Sequence, residues 1–201
     1  MDDIYSAPDP NIEYDCSPNV KSKGFTLLMK WVLLTRKHPE LHDKIKDLIR
    51  ENKEELYKKN EQGWTPLMLA CRNSNTWSTE ETVKMLIDAK CDLNLKKNNG
   101  WTALMLACRY SNTDSTENTV KMLIDAGCDL NLKDNDGWTA LMFACIDSNT
   151  DSTENTVKML IDAKCDLNLK DNDGWTALMM VCSNSNKESS ENKVKMLIDA
   201  C

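Results

Sequence analysis

The sequence predicts an all-α fold, a solenoid of stacked helix-turn-helix units with hairpin-like loops, and three observations predict it. A Gly-Trp pair recurs at intervals of 37 residues, and the block Val-Lys-Met-Leu-Ile-Asp-Ala recurs at the same interval. Within each interval a short apolar run and an amphipathic run alternate with polar links. Six Gly and five Pro in 201 residues disfavour a fold with many β-turns. The pairs are Gly63-Trp64, Gly100-Trp101, Gly137-Trp138 and Gly174-Trp175.

Each unit is predicted to contain two helices. The first follows a Thr, as in the apolar run from Thr102 to Cys108. Thr is a favourable N-cap, and Thr65 precedes Pro66, a residue favoured at the first helical position. The second helix follows a polar link, and the block that begins at Val120 places its apolar residues at i, i+3 and i+4. An Asn-Asp-Gly turn signal then leads into the next unit.

The end of the second helix differs between units. Gly127 stands where a left-handed C-cap is expected, whereas Lys90 and Lys164 stand at the same place in two other units. A Lys there must either end the helix differently or accept about 1 kcal/mol of left-handed backbone strain.

Two recurring segments resemble the ankyrin repeat family. Asp-Gly-Trp-Thr-Ala-Leu-Met-Phe-Ala-Cys at 136–145 resembles the ankyrin segment D-G-x-T-P-L-H-x-A-A, and Leu-Ile-Asp-Ala-Lys-Cys-Asp-Leu-Asn at 160–168 resembles L-L-x-x-G-A-D-V-N. Met replaces the usual His, which places the customary Thr–His hydrogen bond in doubt. The 37-residue period, with its Trp and Cys residues, is similar to that of ankyrin proteins encoded by giant DNA viruses of amoebae.

The resemblance implies a division of the chain into a tail, a cap and four repeats. The tail is residues 1–22, and the degenerate N-terminal capping repeat is residues 23–60. The ankyrin repeats are residues 61–97, 98–134, 135–171 and 172–201, the last of them stopping after its second helix. The tail is expected to lack regular structure, because its first twenty residues carry five acids, no Lys or Arg, and several Pro.

Composition excludes several classes of function. A net charge of −7 disfavours a nucleic-acid partner. The longest apolar run, Ala140 to Ile146, is seven residues, far short of the ~20 that cross a membrane. No basic, apolar secretory signal opens the chain. We therefore expect a cytoplasmic protein, in the host cytoplasm if it is viral.

The cysteines and histidines are the candidates for chemistry. Nine Cys without a C-x-x-C pair are interpreted as small buried hydrophobic residues, and the alternative is metal binding or redox sensing. His38 and His42 flank Pro-Glu-Leu, an order that does not match the zinc motif H-E-x-x-H. No phosphate loop or nucleophile motif occurs, so we expect no enzyme, cofactor or metal. One recurring position holds Cys71, Cys108, Cys145 and Cys182, and the other holds Cys91, Cys128 and Cys165.

The resemblance implies non-catalytic protein–protein recognition on a concave surface made of first-helix ends and hairpin tips, with an unknown protein partner. Two sets of residues are candidates for this surface. The recurring Trp residues either line it or pack between hairpins as scaffold: Trp64, Trp101, Trp138 and Trp175. Residues that vary between units either select the partner or reflect drift after duplication: Arg72, Arg109, Tyr110, Ile146 and Asp147.

The last unit suggests an alternative function. Terminal repeats normally carry a polar outer face, but Val194, Leu197 and Ile198 repeat the interior pattern unchanged. Leaving them open forfeits roughly 1.5–3 kcal/mol each. We therefore expect poor solubility or end-to-end self-association, as in a structural array, unless the array is truncated or decayed.

Overall fold

The structure, a computed structural model, describes residues 4–9, 11–17, 20–146, 152–183 and 188–200. Within these ranges the regular secondary structure is helical apart from one short two-stranded sheet near the start. The strands are β1 (Tyr14–Ser17) and β2 (Val20–Ser22). The helices are α1 (Leu27–Leu34), α2 (Leu41–Glu51), a 3₁₀ helix (Lys53–Leu56), α3 (Pro66–Arg72), α4 (Glu80–Asp88), α5 (Ala103–Arg109), α6 (Glu117–Asp125), α7 (Ala140–Ile146), α8 (Glu154–Asp162), α9 (Ala177–Ser183) and α10 (Glu188–Asp199).

The helices stack in two rows, which confirms the predicted solenoid. Helices α1, α3, α5, α7 and α9 contact one another in chain order and form the inner row. Helices α4, α6, α8 and α10 form the outer row in the same way. Helices α3, α5 and α7 are short and apolar on nearly all sides, because each packs against two inner neighbours and its own outer helix, whereas α1 and α9 have one inner neighbour each.

Local sequence sets the starts of the helices. The Thr65 hydroxyl accepts a hydrogen bond from the backbone N–H of Met68 at 3.2 Å, and Thr102 does the same with Met105 at 3.3 Å. The Met that replaces the family's His also contributes, since the N–H of Thr102 donates to Met105 Sδ at 3.4 Å. The cap survives the loss of His because a thioether is a weak acceptor of the right length.

Two lysines end outer helices in the left-handed conformation. Lys90 and Lys164 both have φ of 64°, and Gly127 has φ of 82° at the corresponding place. The chain thus accepts the backbone strain instead of ending the helix another way. The left-handed C-cap is therefore kept in all three units, whether the residue is Lys or Gly.

Polar side chains join successive units in the space between the helices. The Thr119 hydroxyl donates to Ser74 Oγ at 2.8 Å, and Thr156 donates to Ser111 Oγ at 2.8 Å. These hydroxyls are buried, so each pairing satisfies groups that would otherwise be costly to remove from water. The same contact recurs one unit later because the sequence recurs.

The described part of residues 4–22 contains two strands and contacts the array. Strands β1 and β2 pair antiparallel, with Tyr14 opposite Ser22, and Cys16 in β1 is fully buried. Asn73 Nδ2 donates to the Cys16 carbonyl oxygen at 2.7 Å, and Trp31 Nε1 donates to the Ile4 carbonyl oxygen at 2.7 Å. Composition does not reveal such contacts, because they join distant parts of the chain, and the division into tail, cap and repeats stays a prediction.

Candidate protein-interaction surface

Four tight loops bring the Trp residues into one row. In each loop a backbone N–H donates to the carbonyl oxygen of the Trp, as from Lys97 to Trp101 at 2.9 Å. Each loop also docks on the previous one, for example through the N–H of Asn98 and the Gln62 carbonyl oxygen at 3.1 Å. We call the surface formed by these loops (60–64, 97–101, 134–138 and 171–175) and by the C-terminal ends of α3, α5, α7 and α9 the inner surface.

The four Trp side chains are not equivalent. Trp64 is only 2% exposed, Trp101 and Trp138 are half-buried, and Trp175 is 43% exposed. The Lys97 ammonium lies 4.4 Å from the centre of the Trp64 ring, so the following loop helps to cover this indole. Trp64 therefore matches the scaffold interpretation, whereas the other three retain surface for a partner.

A cluster of aromatic rings and cations crosses the middle of the inner surface. Phe143 lies 4.5 Å from Trp101 and 5.1 Å from Trp138, measured between ring centres. The Arg109 guanidinium lies 5.7 Å from the Trp101 ring and 5.6 Å from the Tyr110 ring. Offset rings and cations over ring faces attract one another electrostatically, so the cluster is held in a fixed arrangement.

Arg72 joins two units instead of pointing freely into solvent. Arg72 is only 6% exposed. Its guanidinium forms an ion pair with Asp114 and stacks 3.4 Å from the centre of the Tyr110 ring. Truncating Arg72 would leave Asp114 unpaired, so a loss of partner binding on its substitution has to be separated from a loss of stability. Its role in selecting a partner stays a prediction.

The remaining candidates lie at the end of α7. Ile146 is the last residue of that helix and is half-buried. Asp147 lies outside the described residues. The structure thus brings Tyr110, Arg109, Trp101 and Trp138 together, and places Ile146 at the end of the next inner helix.

Sequence reasoning missed two residues of this surface, Lys97 and Phe143. Lys97 occupies the loop position that Asn60 and Asp134 occupy in two other units. In those units the side-chain oxygen accepts a hydrogen bond from the backbone N–H of the Trp four residues later, at 2.9 and 2.7 Å. Lys97 cannot accept, and its ammonium instead lies over two Trp rings, 5.6 Å from that of Trp101. This break in the repeat pattern was the available signal, as was a Phe at a position that is otherwise aliphatic.

Burial perturbs the titratable groups of the inner surface. Partial burial lowers the pKa of Lys97, because the ammonium loses hydration that the rings replace incompletely. Partial burial likewise raises the pKa of the Asp134 carboxyl, against the backbone N–H groups of Trp138 and Asp136 that hydrogen-bond to it. These shifts arise from packing between loops.

The described cysteines are free thiols. Burial raises the pKa of Cys145 to about 12 and that of Cys165 to about 11, so the reactive thiolate is scarce at neutral pH. Cys182 differs from its counterparts and is exposed. Across the described ranges, no three His, Cys, Asp or Glu side chains are grouped in a way that would hold a metal ion. The described helices are also all too short or too polar to span a bilayer.

Comparison with known proteins agrees with this architecture. A family model described as ankyrin repeats (3 copies) matches residues 37–134 and 111–201. The chain belongs to the ankyrin repeat family. Ankyrin repeats are in general modules of protein–protein interaction, and are typically non-catalytic.

The similar ankyrin repeat proteins come from Acanthamoeba polyphaga mimivirus. One is 38% identical over 87 residues, which is 40% of this chain and 15% of the relative. A second is 38% identical over 78 residues, 38% of this chain and 14% of the relative. A third is 35% identical over 88 residues, 43% of this chain and 10% of the relative. This chain therefore matches only a small part of the length of these viral ankyrin proteins.

Proposed function

We propose that this ankyrin repeat protein is a non-catalytic adaptor that binds a protein partner on its inner surface, which the family resemblance implies is concave. The observation that carries the proposal is the cluster of half-buried rings and cations around Phe143. Fixed aromatic and Arg side chains bind with little loss of conformational entropy and are enriched among residues that dominate binding energies.

The candidate contact residues are the exposed and half-buried ones that the sequence singled out, together with Lys97, whereas Phe143 and Trp64, each 2% exposed, support them from the interior. Tyr110 and Trp101 offer partly exposed ring surface beside the Arg109 guanidinium. Because the similar proteins are virus-encoded, we propose the host cytoplasm as the location and a host protein as the partner. Imaging a tagged copy in amoebae tests the location.

Binding is tested with Tyr110→Ala and Arg109→Ala against an aromatic control elsewhere. Tyr57 is exposed, and its hydroxyl donates to the Lys90 carbonyl oxygen at 3.3 Å, so Tyr57→Ala removes a similar ring away from the inner surface. The immobilised protein is exposed to amoebal cytosol, and captured proteins are quantified by mass spectrometry. We expect the captured amount of a specific partner to fall at least about tenfold with Tyr110→Ala and with Arg109→Ala, and to stay unchanged with Tyr57→Ala.

Thermal denaturation of each variant separates contact from folding. An inner variant that melts with the wild type yet loses the partner supports the proposal. Equal capture by wild type, Tyr110→Ala and Arg109→Ala would refute it.

A second function is favoured by the last unit, which presents apolar side chains to solvent. Met179 is 50% exposed and Ile198 is 57% exposed, and Val194 and Ile198 line a shallow pocket of about 390 Å³. The expectation of an open side chain was wrong for Leu197, which is 1% exposed because α10 packs against α8 and α9. We propose self-association through this face as the alternative. Sedimentation at increasing concentration tests it, and Met179→Lys with Ile198→Lys should return the species to a monomer if the proposal holds.

A further inference from the structure

The N-terminal end of the inner surface is already occupied by a segment of the chain itself. Residues 4–17 lie on helices α1 and α3 and on the first loop. Asn60 Nδ2 lies 3.6 Å from Cys16 Sγ, and Asn73 Nδ2 donates to the carbonyl oxygen of Cys16 at 2.7 Å. Asn60 belongs to the first loop and Asn73 follows α3, so both are parts of the inner surface.

The contacts are made mostly to the backbone of the segment. Trp31 Nε1 donates to the Ile4 carbonyl oxygen at 2.7 Å, and Lys30 Nζ donates to the Ser6 carbonyl oxygen at 3.2 Å. Gln62 Nε2 donates to the Lys21 carbonyl oxygen at 2.7 Å, beside β2. Side-chain donors that hold carbonyl groups recognise the path of a backbone with little regard to its side chains.

The charges of the segment and of its seat are opposite. The first twenty residues contain Asp2, Asp3, Asp9, Glu13 and Asp15 and no Lys or Arg. Asp15 shares the lining of a cavity with Lys30 and Lys37. The ammonium of Lys97 is close enough to Cys16 for each to influence the ionisation of the other.

The segment does not fill the space beneath it. A cavity of about 510 Å³ remains between the segment, α1 and the link after α3. Its walls are apolar at Phe25, Leu33, Leu34 and Trp77 and basic at the two lysines. An acidic segment with apolar side chains would find both apolar and basic contacts in this space.

We propose that this end of the inner surface is a docking site for an extended acidic peptide segment of a partner, and that residues 4–17 are its displaceable internal occupant. This inference rests on the proposed adaptor function and names the chemistry of the partner. The internal occupant has an effective concentration in roughly the millimolar range, so a partner must compete with it. A partner segment therefore binds only if its affinity for the site is high enough to displace the resident segment.

The first experiment weakens the internal occupant in the full chain with Asp9→Lys and Glu13→Lys, both at exposed positions. Asp43→Lys and Asp47→Lys, exposed acids on α2, form the matched control. The probe is a fluorescent synthetic peptide with the sequence of residues 1–17 and Ser in place of the Cys. We expect it to bind the weakened protein at least about tenfold more tightly than the wild type or the control.

A second probe carries Asn and Gln in place of the five acids, and we expect its affinity for the weakened protein to be at least about tenfold lower. Equal affinity of the acidic peptide for all three proteins would overturn the proposal, as would equal affinity of the acidic and neutral peptides. Binding of cytosolic partners that is lost with Tyr110→Ala, combined with no peptide binding, would leave the adaptor function standing and remove this inference alone.

An independent measurement follows the release of the segment through Cys16, which is fully buried when the segment is docked. Pulsed alkylation of the full chain, with the Cys16 peptide quantified by mass spectrometry, reports the released fraction. Trp31→Phe removes the hydrogen bond to Ile4 and keeps the ring, and we expect alkylation to rise about fivefold. Unchanged alkylation in Trp31→Phe and in the charge variant would overturn displaceability.

Discussion

The third and fourth repeats contain nearly the same residues and present them differently. Met142 is 1% exposed, and its counterpart Met179 is 50% exposed. Trp138 is half-buried and Trp175 is exposed. A Cβ added at Gly137 would lie 2.7 Å from the backbone N of Asn172, whereas one added at Gly174 would meet nothing within 4 Å.

The difference teaches that a unit does not bury its own apolar residues. The fourth unit covers the third through the loop that begins near Asn172 and through α9, and among the described residues no further unit covers the fourth. In a solenoid, burial is a property of the junction between neighbours, so stability is the sum of units and junctions. Of the four predictions that follow, three compare matched positions in the third and fourth repeats, and the last compares helix ends in the second and third repeats.

The largest difference is expected in thiol reactivity at Cys145 and Cys182. Cys145 is buried and its pKa is raised to about 12 by burial, whereas Cys182 is exposed. Alkylation of Cys145 requires opening of the junction, so its rate in the native protein should be at least about a thousandfold lower. Site-resolved mass spectrometry after iodoacetamide treatment measures both rates. Comparable rates would show that the third and fourth units do not form a stable junction.

Truncation of the two methionines should show the same contrast in stability. Met142→Ala leaves a cavity in a closed junction, and should lower the free energy of unfolding by about 2–5 kcal/mol. Met179→Ala removes a half-exposed side chain, and should cost less than about 1 kcal/mol. Urea denaturation followed by circular dichroism checks both. A Met179→Ala variant as unstable as Met142→Ala would indicate that the last unit is covered in solution, as self-association predicts.

The paired loop glycines separate backbone strain from close approach. Both residues have positive φ, 85° at Gly137 and 86° at Gly174, so Ala is strained at either place. Only Gly137 also meets the next loop. We expect Gly137→Ala to cost about 3 kcal/mol and Gly174→Ala about 1 kcal/mol. If chemical denaturation gives equal losses, the loops are not in contact as described.

The smallest effect on stability is expected at the ends of the outer helices. A substitution there alters the backbone of one unit without touching the next, so it gives a reference value for strain alone. Lys164→Gly relieves left-handed strain and should stabilise the protein by about 0.5–1 kcal/mol. Gly127→Lys is the reverse change at a place where an added Cβ meets nothing within 4 Å, so it should destabilise by a similar amount. Differential scanning calorimetry detects both shifts. Lower stability of Lys164→Gly would mean that the lysine side chain contributes more than its backbone costs.

Much of the fold follows from local sequence. The Thr caps, the apolar inner helices and the tight loops were predicted because each depends on residues within a few positions of one another. The surface was predicted less completely. Arg109 and Tyr110 lie in the ring-and-cation cluster, but Lys97 and Phe143 were overlooked, because the contacts of Lys97 with Trp64 and of Phe143 with Trp101 span 33 and 42 positions of the chain.

The sequence by itself determined the repeat, its period and the two-helix unit, because the repeated blocks and the helix caps each depend on residues that are close together in the chain. Only the tertiary structure decided which copy of a residue is covered, that Arg72 is held by Asp114 and Tyr110, and that residues 4–17 lie on the inner surface. The physical reason is that burial and charge pairing arise between segments distant in the chain. Identical residues at equivalent positions of the repeats therefore lie in different environments, because the neighbouring units differ.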